Sequence, residues 1–119
     1  MTCFSYSNGS YIPSYKAKIS INDRSVHFAD AVYEVVTVYN FRMLFWKDHI
    51  SRLKKSLNLL DIKYKNDLNS LLYKCEELIK KNYLKEGIIY IHISRGIAKR
   101  NHNWSHDIKP SLIISSTQK

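Results

Sequence analysis

Hydrophobic and polar positions divide the chain into short strand-like stretches and two longer helical ones. Val32 to Tyr39 is dense in β-branched and aromatic residues and predicts a buried strand. With a period of two, Tyr33, Val35, Thr37 and Tyr39 share one face, and Val32, Glu34, Val36 and Val38 share the other. Asn40-Phe41 turns this strand into Arg42 to Phe45. Thr2 to Ser7, the turn Asn8-Gly9 and Tyr11-Ile12 predict an opening hairpin, because both turn residues tolerate positive φ. A further strand is expected over Lys16 to Ser20, then an irregular stretch from Asn22 to Ala31. Ile50, Leu53, Leu57 and Leu60 form one face of a helix starting near Asp48, an acidic residue suited to a first turn. A second helix is expected from about Asp67 to Tyr83, on the face Leu68, Leu71, Leu72, Cys75, Leu78 and Ile79. Asn66 would cap it and Gly87 would stop it. Ile88 to Ser94 and Ser111 to Ser115 read as strands on either side of a loop from Gly96 to Pro110. Two successive helices between hairpin-type strands, without β-α-β alternation, predict an α+β fold. Its sheet is mainly antiparallel, with two helices packed on one face.

The 119 residues suit one domain, 1–119, with a real core. No apolar run approaches the length needed to cross a bilayer, so no membrane association is expected. The opening MTCFSYSNGS has neither the basic region nor the apolar block of a secretory signal, so a cytoplasmic location is expected. Cys3 and Cys75 match no metal spacing, and a disulfide is not expected in that compartment. A net charge of +9 permits binding to polyanions. The lysines are scattered, however, and the aromatics do not interleave with them on one strand. A basic nucleic-acid-binding domain is therefore the weakest of the function classes.

Three groups of residues have chemistry to offer. Tyr33, with Val35 and Thr37, either lines a polar site or is a core-edge tyrosine satisfied locally. Arg52, in the second turn of its helix, either forks onto an anion or pairs with Asp48 one turn earlier. Arg100 and His102, two apart in a loop with Lys99, Asn101 and Asn103, read as an exposed basic loop. His27, His49, His92 and His106 form no metal pattern, and no metal site is expected. His49 and His92 read as structural, His27 as a residue near the pocket rim, and Asp30 as one that shapes its turn. No glycine-rich phosphate loop, nucleophile elbow or paired-carboxylate motif occurs.

The segment VHFADAVYEVVTVYN, the string His49-Ile50-Ser51-Arg52-Leu53 and the SRGIAKRNH cluster, in that order, resemble the N-terminal half of the D-amino-acid aminotransferases. These are fold type IV enzymes dependent on pyridoxal 5'-phosphate (PLP), grouped with branched-chain aminotransferases and aminodeoxychorismate lyase. The resemblance covers nearly all of the chain. It implies that Arg52 binds the cofactor phosphate and that Tyr33, Val35 and Thr37 line the substrate pocket. It also implies that Arg100 and His102 reach across a homodimer interface to hold the substrate carboxylate. The branched-chain relatives lack this Arg-x-His pair, so it points to the D-specific branch. The family commonly has glycine where this chain has Ala29 and Ala31, which would strain the turn if either needs positive φ.

The family's cofactor-binding lysine and the acidic partner of the pyridine nitrogen lie in a C-terminal half not matched here, so no catalytic residue is assigned. The expectation is the N-terminal part of a D-alanine:2-oxoglutarate aminotransferase, truncated or one half of a split enzyme, and inactive alone. A separately encoded C-terminal half would be its partner. The alternative is a non-catalytic remnant or dimerising interaction domain, which would self-associate through apolar surface.

Overall fold

The computed structural model describes residues 3–119, and the part of the opening strand assigned to Thr2 lies outside them. The chain runs β1 (Phe4–Ser7), β2 (Ser10–Pro13), α1 (Arg24–Phe28), β3 (Ala31–Tyr39), β4 (Arg42–Met43), α2 (Trp46–Leu59), α3 (Asn69–Lys81), β5 (Glu86–Ser94) and β6 (Ser111–Gln118). The strands form one six-stranded sheet in the order β2-β1-β6-β5-β3-β4, with every pairing antiparallel. The α+β architecture expected from the pattern is the one observed.

The period-two reading of β3 fixes the layers. Val32, Val36 and Val38 are buried, whereas Tyr33, Val35, Thr37 and Tyr39 are exposed. In register with Val32, Glu34 and Val36, Ile93, Ile91 and Ile89 of β5 continue the buried face. Leu53 and Leu57 of α2 and Leu71, Cys75, Leu78 and Ile79 of α3 close the core against that face. Truncating a fully buried leucine there, such as Leu71, would cost about 2–5 kcal/mol. Burial pushes the Cys75 thiol up to about 12, so it behaves as a small core hydrophobe. The opposite face of the sheet is left open, with Tyr33 beside His92, Val35 beside Tyr90 and Thr37 beside Ile88.

Several local expectations are corrected. Lys16 to Ser20 is not a strand: Pro13 ends β2, Ser14–Lys16 makes a 3-10 turn, and the Ser14 hydroxyl bonds that of Ser5 at 2.7 Å. The stretch from Asn22 to Ala31 is not wholly irregular, because Asp23 caps α1 by accepting from the Ser25 amide at 2.9 Å. β4 is only two residues long, and α2 starts at Trp46 rather than near Asp48. Leu60 lies past the end of α2 and is largely exposed. The start of α3 is satisfied by Asp67, whose carboxylate accepts from the Asn69 amide, and not by Asn66.

Gly87 does not stop α3 but lies inside β5. The helix ends at Lys81, and Asn82 beyond it spends its amide on Phe4 and Ser116. Gly87 is there for close strand approach, since a Cβ would stand 2.1 Å from the Thr117 carbonyl oxygen. β6 runs on to Gln118, paired along its whole length with β5.

Candidate functional site

β3 is paired with β5 over all nine of its residues, but on its other side β4 pairs only with Val38 and Tyr39. The earlier part of β3 therefore borders open space, and α2 passes alongside it. Tyr33, Glu34, Val35 and Arg52 line the resulting groove, of about 490 Å³. The tyrosine and valine come from the open face of the strand. The arginine arrives from the second turn of α2.

Glu34 organises this groove, and the sequence pattern alone gave it no role. Its carboxylate is 4% exposed, on the face that otherwise carries Val32, Val36 and Val38. A carboxylate at such a position needs partners. Arg52 supplies a fork: Nε donates to Oε2 and Nη2 to Oε1, both at 2.9 Å. His49, one turn earlier on α2, lies with Nδ1 2.7 Å from Oε1. An ionised carboxylate only accepts, so Nδ1 carries the proton in this contact. Burial alone would raise the Glu34 pKa. The hydrogen bonds and charge of Arg52 and His49 outweigh it and hold the carboxyl below its usual range. The expected alternative, an Arg52–Asp48 pair along the helix, does not form. Arg52 stays 68% exposed, and its Nη1 makes no hydrogen bond among the described residues. Two donors are thus fixed by the chain and further donors face the groove.

Arg100 and His102 stand apart from this groove, in the loop between β5 and β6. Both are exposed and both lie against Phe28. The Arg100 guanidinium is 5.2 Å from that ring's centre, and the His102 ring is 5.1 Å from it. Thr37 shares the open face with Tyr33 and Val35 but does not line the groove. Tyr33 and Val35 are therefore brought together with Arg52, while Arg100 and His102 form a second exposed pair. His27 stacks edge-on with Phe28 at 6.1 Å.

A further carboxylate, Asp30, 11% exposed, lies behind that pair. Asp30 accepts from Arg24 Nε at 2.8 Å, and from Arg95 Nε at 2.7 Å and Nη2 at 3.2 Å. Both guanidinium groups are about 5% exposed. Burial would raise the Asp30 pKa, but the two arginines hold it below the ordinary carboxylate range. Asp30 shapes its turn, as expected, through these two side chains. Ala29 does take positive φ, at 52°, while Ala31 is ordinary strand. The signal that could have found both carboxylates is an acidic residue where the apolar pattern calls for burial. For Glu34 the alternation of the strand itself carries that signal. Among the described residues no group of three or more His, Cys, Asp or Glu side chains is placed to hold a metal ion.

Comparison with known proteins agrees with the fold. The family model for amino-transferase class IV matches residues 31–119. A D-alanine aminotransferase of Staphylococcus aureus (strain MSSA476) is 31% identical over 107 residues, which is 89% of this chain and 38% of that protein. The chain thus spans under two fifths of the length of the curated relatives it matches. The crystal structure of the Escherichia coli branched-chain amino acid aminotransferase superposes with a TM-score of 0.91 at 20% identity, over all of this chain and 40% of that one. The crystal structure of 4-amino-4-deoxychorismate lyase from Pseudomonas aeruginosa superposes at 0.73 and 20% identity, over 96% of this chain and 39% of that one. At those identities the superpositions establish the fold. The family match over three quarters of the sequence shows that the chain belongs to the class IV aminotransferases.

Proposed function

We propose that this chain is the N-terminal part of a PLP-dependent D-amino-acid aminotransferase, a homodimer that moves an amino group from D-alanine to 2-oxoglutarate. When bound, PLP supplies the electron sink that lets an amino acid lose its α-proton. Arg52 holds the cofactor phosphate. Tyr33, Val35 and Thr37 line the substrate pocket, and Arg100 and His102 bind the substrate carboxylate from across the dimer. The cofactor-binding lysine and the rest of the phosphate contacts come from chain beyond these residues.

The observation that carries the reading is Arg52. It is an exposed guanidinium held in a fork by a buried carboxylate, with unspent donors beside Tyr33 and Val35. That arrangement fits a phosphate oxygen, which accepts in the same planar geometry. The chemistry of Arg100 and His102 fits a carboxylate in the same way.

The test is to express the chain joined to, or together with, a segment supplying the remaining length of its relatives. The PLP-loaded product is then assayed with D-alanine, L-alanine and L-leucine as donors to 2-oxoglutarate. D-alanine turnover that falls at least tenfold in Arg52→Ala and Arg100→Ala supports the reading. Turnover of the L-donors alone overturns the D-specificity. No turnover from a folded, PLP-loaded product favours the second reading.

That second reading is a non-catalytic, self-associating domain, and the open face of the sheet is the observation behind it. Val35 and Ile88 are exposed there beside Tyr33 and Tyr39. A strictly monomeric chain in sedimentation would count against it.

A further inference from the structure

The loop between β5 and β6 is tied down in two places by different means. Its base is held by main chain. The Arg24 amide donates to the Gly96 carbonyl at 2.8 Å, the Ala98 amide to the Asn22 carbonyl at 3.1 Å, and Asp23 bridges Ile97. Its outer part, where Arg100 and His102 sit, has no such ladder. Among the described residues, the side chain that hydrogen-bonds to its backbone from outside the loop is that of Arg24. Arg24 Nη1 donates to the Asn101 carbonyl and Nη2 to the His102 carbonyl at 3.4 Å. The same guanidinium lies 4.5 Å from the Phe28 ring, against which Arg100 and His102 also rest.

We infer that Arg24 is the positioning residue for the Arg100–His102 segment. It fixes the backbone on which the two exposed side chains are presented. The inference rests on the reading that this pair binds a carboxylate, and deepens it by naming what sets the pair's geometry. A guanidinium spreads its five donors over three nitrogens in one plane and so reaches a carboxylate and two carbonyls set apart from one another, whereas the three donors of an ammonium all leave one nitrogen. Arg24 is almost wholly buried, so it does not itself meet substrate. Asp30 keeps it in place. Arg95 completes the clamp from the other side: it shares Asp30, donates to the carbonyls of Leu60 and Asp61 at the end of α2, and stacks 3.5 Å from the Trp104 ring. The segment between Arg95 and Trp104 is therefore gripped at both ends by one carboxylate and two arginines. Phe28 acts as the floor under Arg100 and His102.

The test compares Arg24→Lys with the unmodified chain by backbone 15N relaxation. Lysine keeps the charge opposite Asp30 and loses the fork. In the variant, order parameters at 100–103 fall from those of a held loop toward about 0.6 or below, while 96–98 and β3 are unchanged. Unchanged order at 100–103 overturns the inference. Should the variant fail to fold, the unmodified chain decides. Slowly exchanging Arg24 Nη protons, with scalar coupling to the carbonyl carbons of Asn101 and His102, support it. Rapid exchange of those protons overturns it.

Kinetics on the complete PLP-loaded protein separate this inference from the reading beneath it. Arg24→Lys should raise KM for the amino donor about tenfold and leave kcat within about twofold, because a misplaced contact weakens productive binding. A donor KM unmoved by Arg100→Ala sinks the carboxylate reading and leaves Arg24 to be judged on relaxation alone. A KM raised by Arg100→Ala but not by Arg24→Lys overturns the positioning role.

Discussion

Glu34→Gln isolates the device that holds Arg52. The carboxylate accepts three hydrogen bonds through two oxygens, two from Arg52 and one from His49. An amide keeps one accepting oxygen and turns the other position into a donor; Arg52 bonds both positions and so faces an N–H either way, and His49 faces one only if the oxygen turns away from it. The exposed Arg52 can turn into solvent, where water replaces its partner. His49 cannot do so as easily, because its side chain is 16% exposed and Glu34 only 4%. The stability effect should therefore come mainly from the short Glu34–His49 contact, which loses the carboxylate's charge, and from the buried amide N–H that Arg52 leaves unpaired. Leaving one buried polar partner unsatisfied costs about 1.5 kcal/mol. In a chain of this size that lowers the urea midpoint by about 1 M and Tm by about 6 °C. Urea denaturation followed by circular dichroism, with the slope compared to exclude a change in denatured state, reads the effect directly. Asp48→Asn serves as the control, because Arg52 does not use Asp48; its midpoint should move by no more than about 0.3 M. A Glu34→Gln midpoint unmoved at unchanged slope would refute the reasoning, as would an Asp48→Asn shift as large.

Three further outcomes follow from local geometry. Gly87→Ala should destabilise by about 3 kcal/mol in thermal melts, since its Cβ would collide with the Thr117 carbonyl and part β5 from β6. Ala29→Gly should stabilise by about 0.5–1 kcal/mol, because glycine accepts the φ of 52° without a Cβ clash and gives back part of that as chain entropy. Stability should also fall in acid in two windows. Burial, opposed by the Asp23 charge, holds the His92 pKa below its ordinary 6.5. As pH drops through 6.5 the unfolded chain gains a proton that the folded one refuses, and stability falls until folded His92 protonates too. His92→Gln should flatten urea midpoints between pH 7 and the lower value. The second decline begins near pH 4, where the unfolded carboxyls take protons that folded Asp30 and Glu34, both held low by their arginine partners, refuse, and continues until the folded carboxylates are protonated too.

The sheet was legible because its residues obey a period of two. Val32 to Tyr39 sorted its own side chains into the face that α2 and α3 cover and the face left open. The helices were legible because Leu53, Leu57, Leu71, Cys75 and Leu78 recur at helical spacing. Their ends were less so. A helix end depends on who satisfies its last amides and carbonyls, and that is settled by tertiary neighbours: Asp67 instead of Asn66, and an Asn82 already committed to Phe4 and Ser116. Gly87 misled for a related reason. A glycine near a helix end reads as a stop signal, whereas this one answers a steric demand from a strand thirty residues later in sequence. The five-residue α1 was invisible because it has no apolar face long enough to show a period.

The candidate site was legible as a set of exposed residues and illegible as a mechanism for holding them. Tyr33, Arg52, Arg100 and His102 all prove accessible, which is what binding residues need. Accessibility alone leaves a long cationic side chain free to wander, and ordering it costs up to about 2 kcal/mol of rotamer entropy. The chain meets that cost twice by the same means: a carboxylate taken out of water between two nitrogen bases. Glu34 between Arg52 and His49 orders one exposed guanidinium directly. Asp30 between Arg24 and Arg95 orders the other pair one step removed, through the loop backbone. Each carboxylate is destabilised by burial and rescued by its partners, so each is set in place by folding itself. A ligand arriving at either position then meets donors already aimed, and less of its binding energy is lost to ordering them.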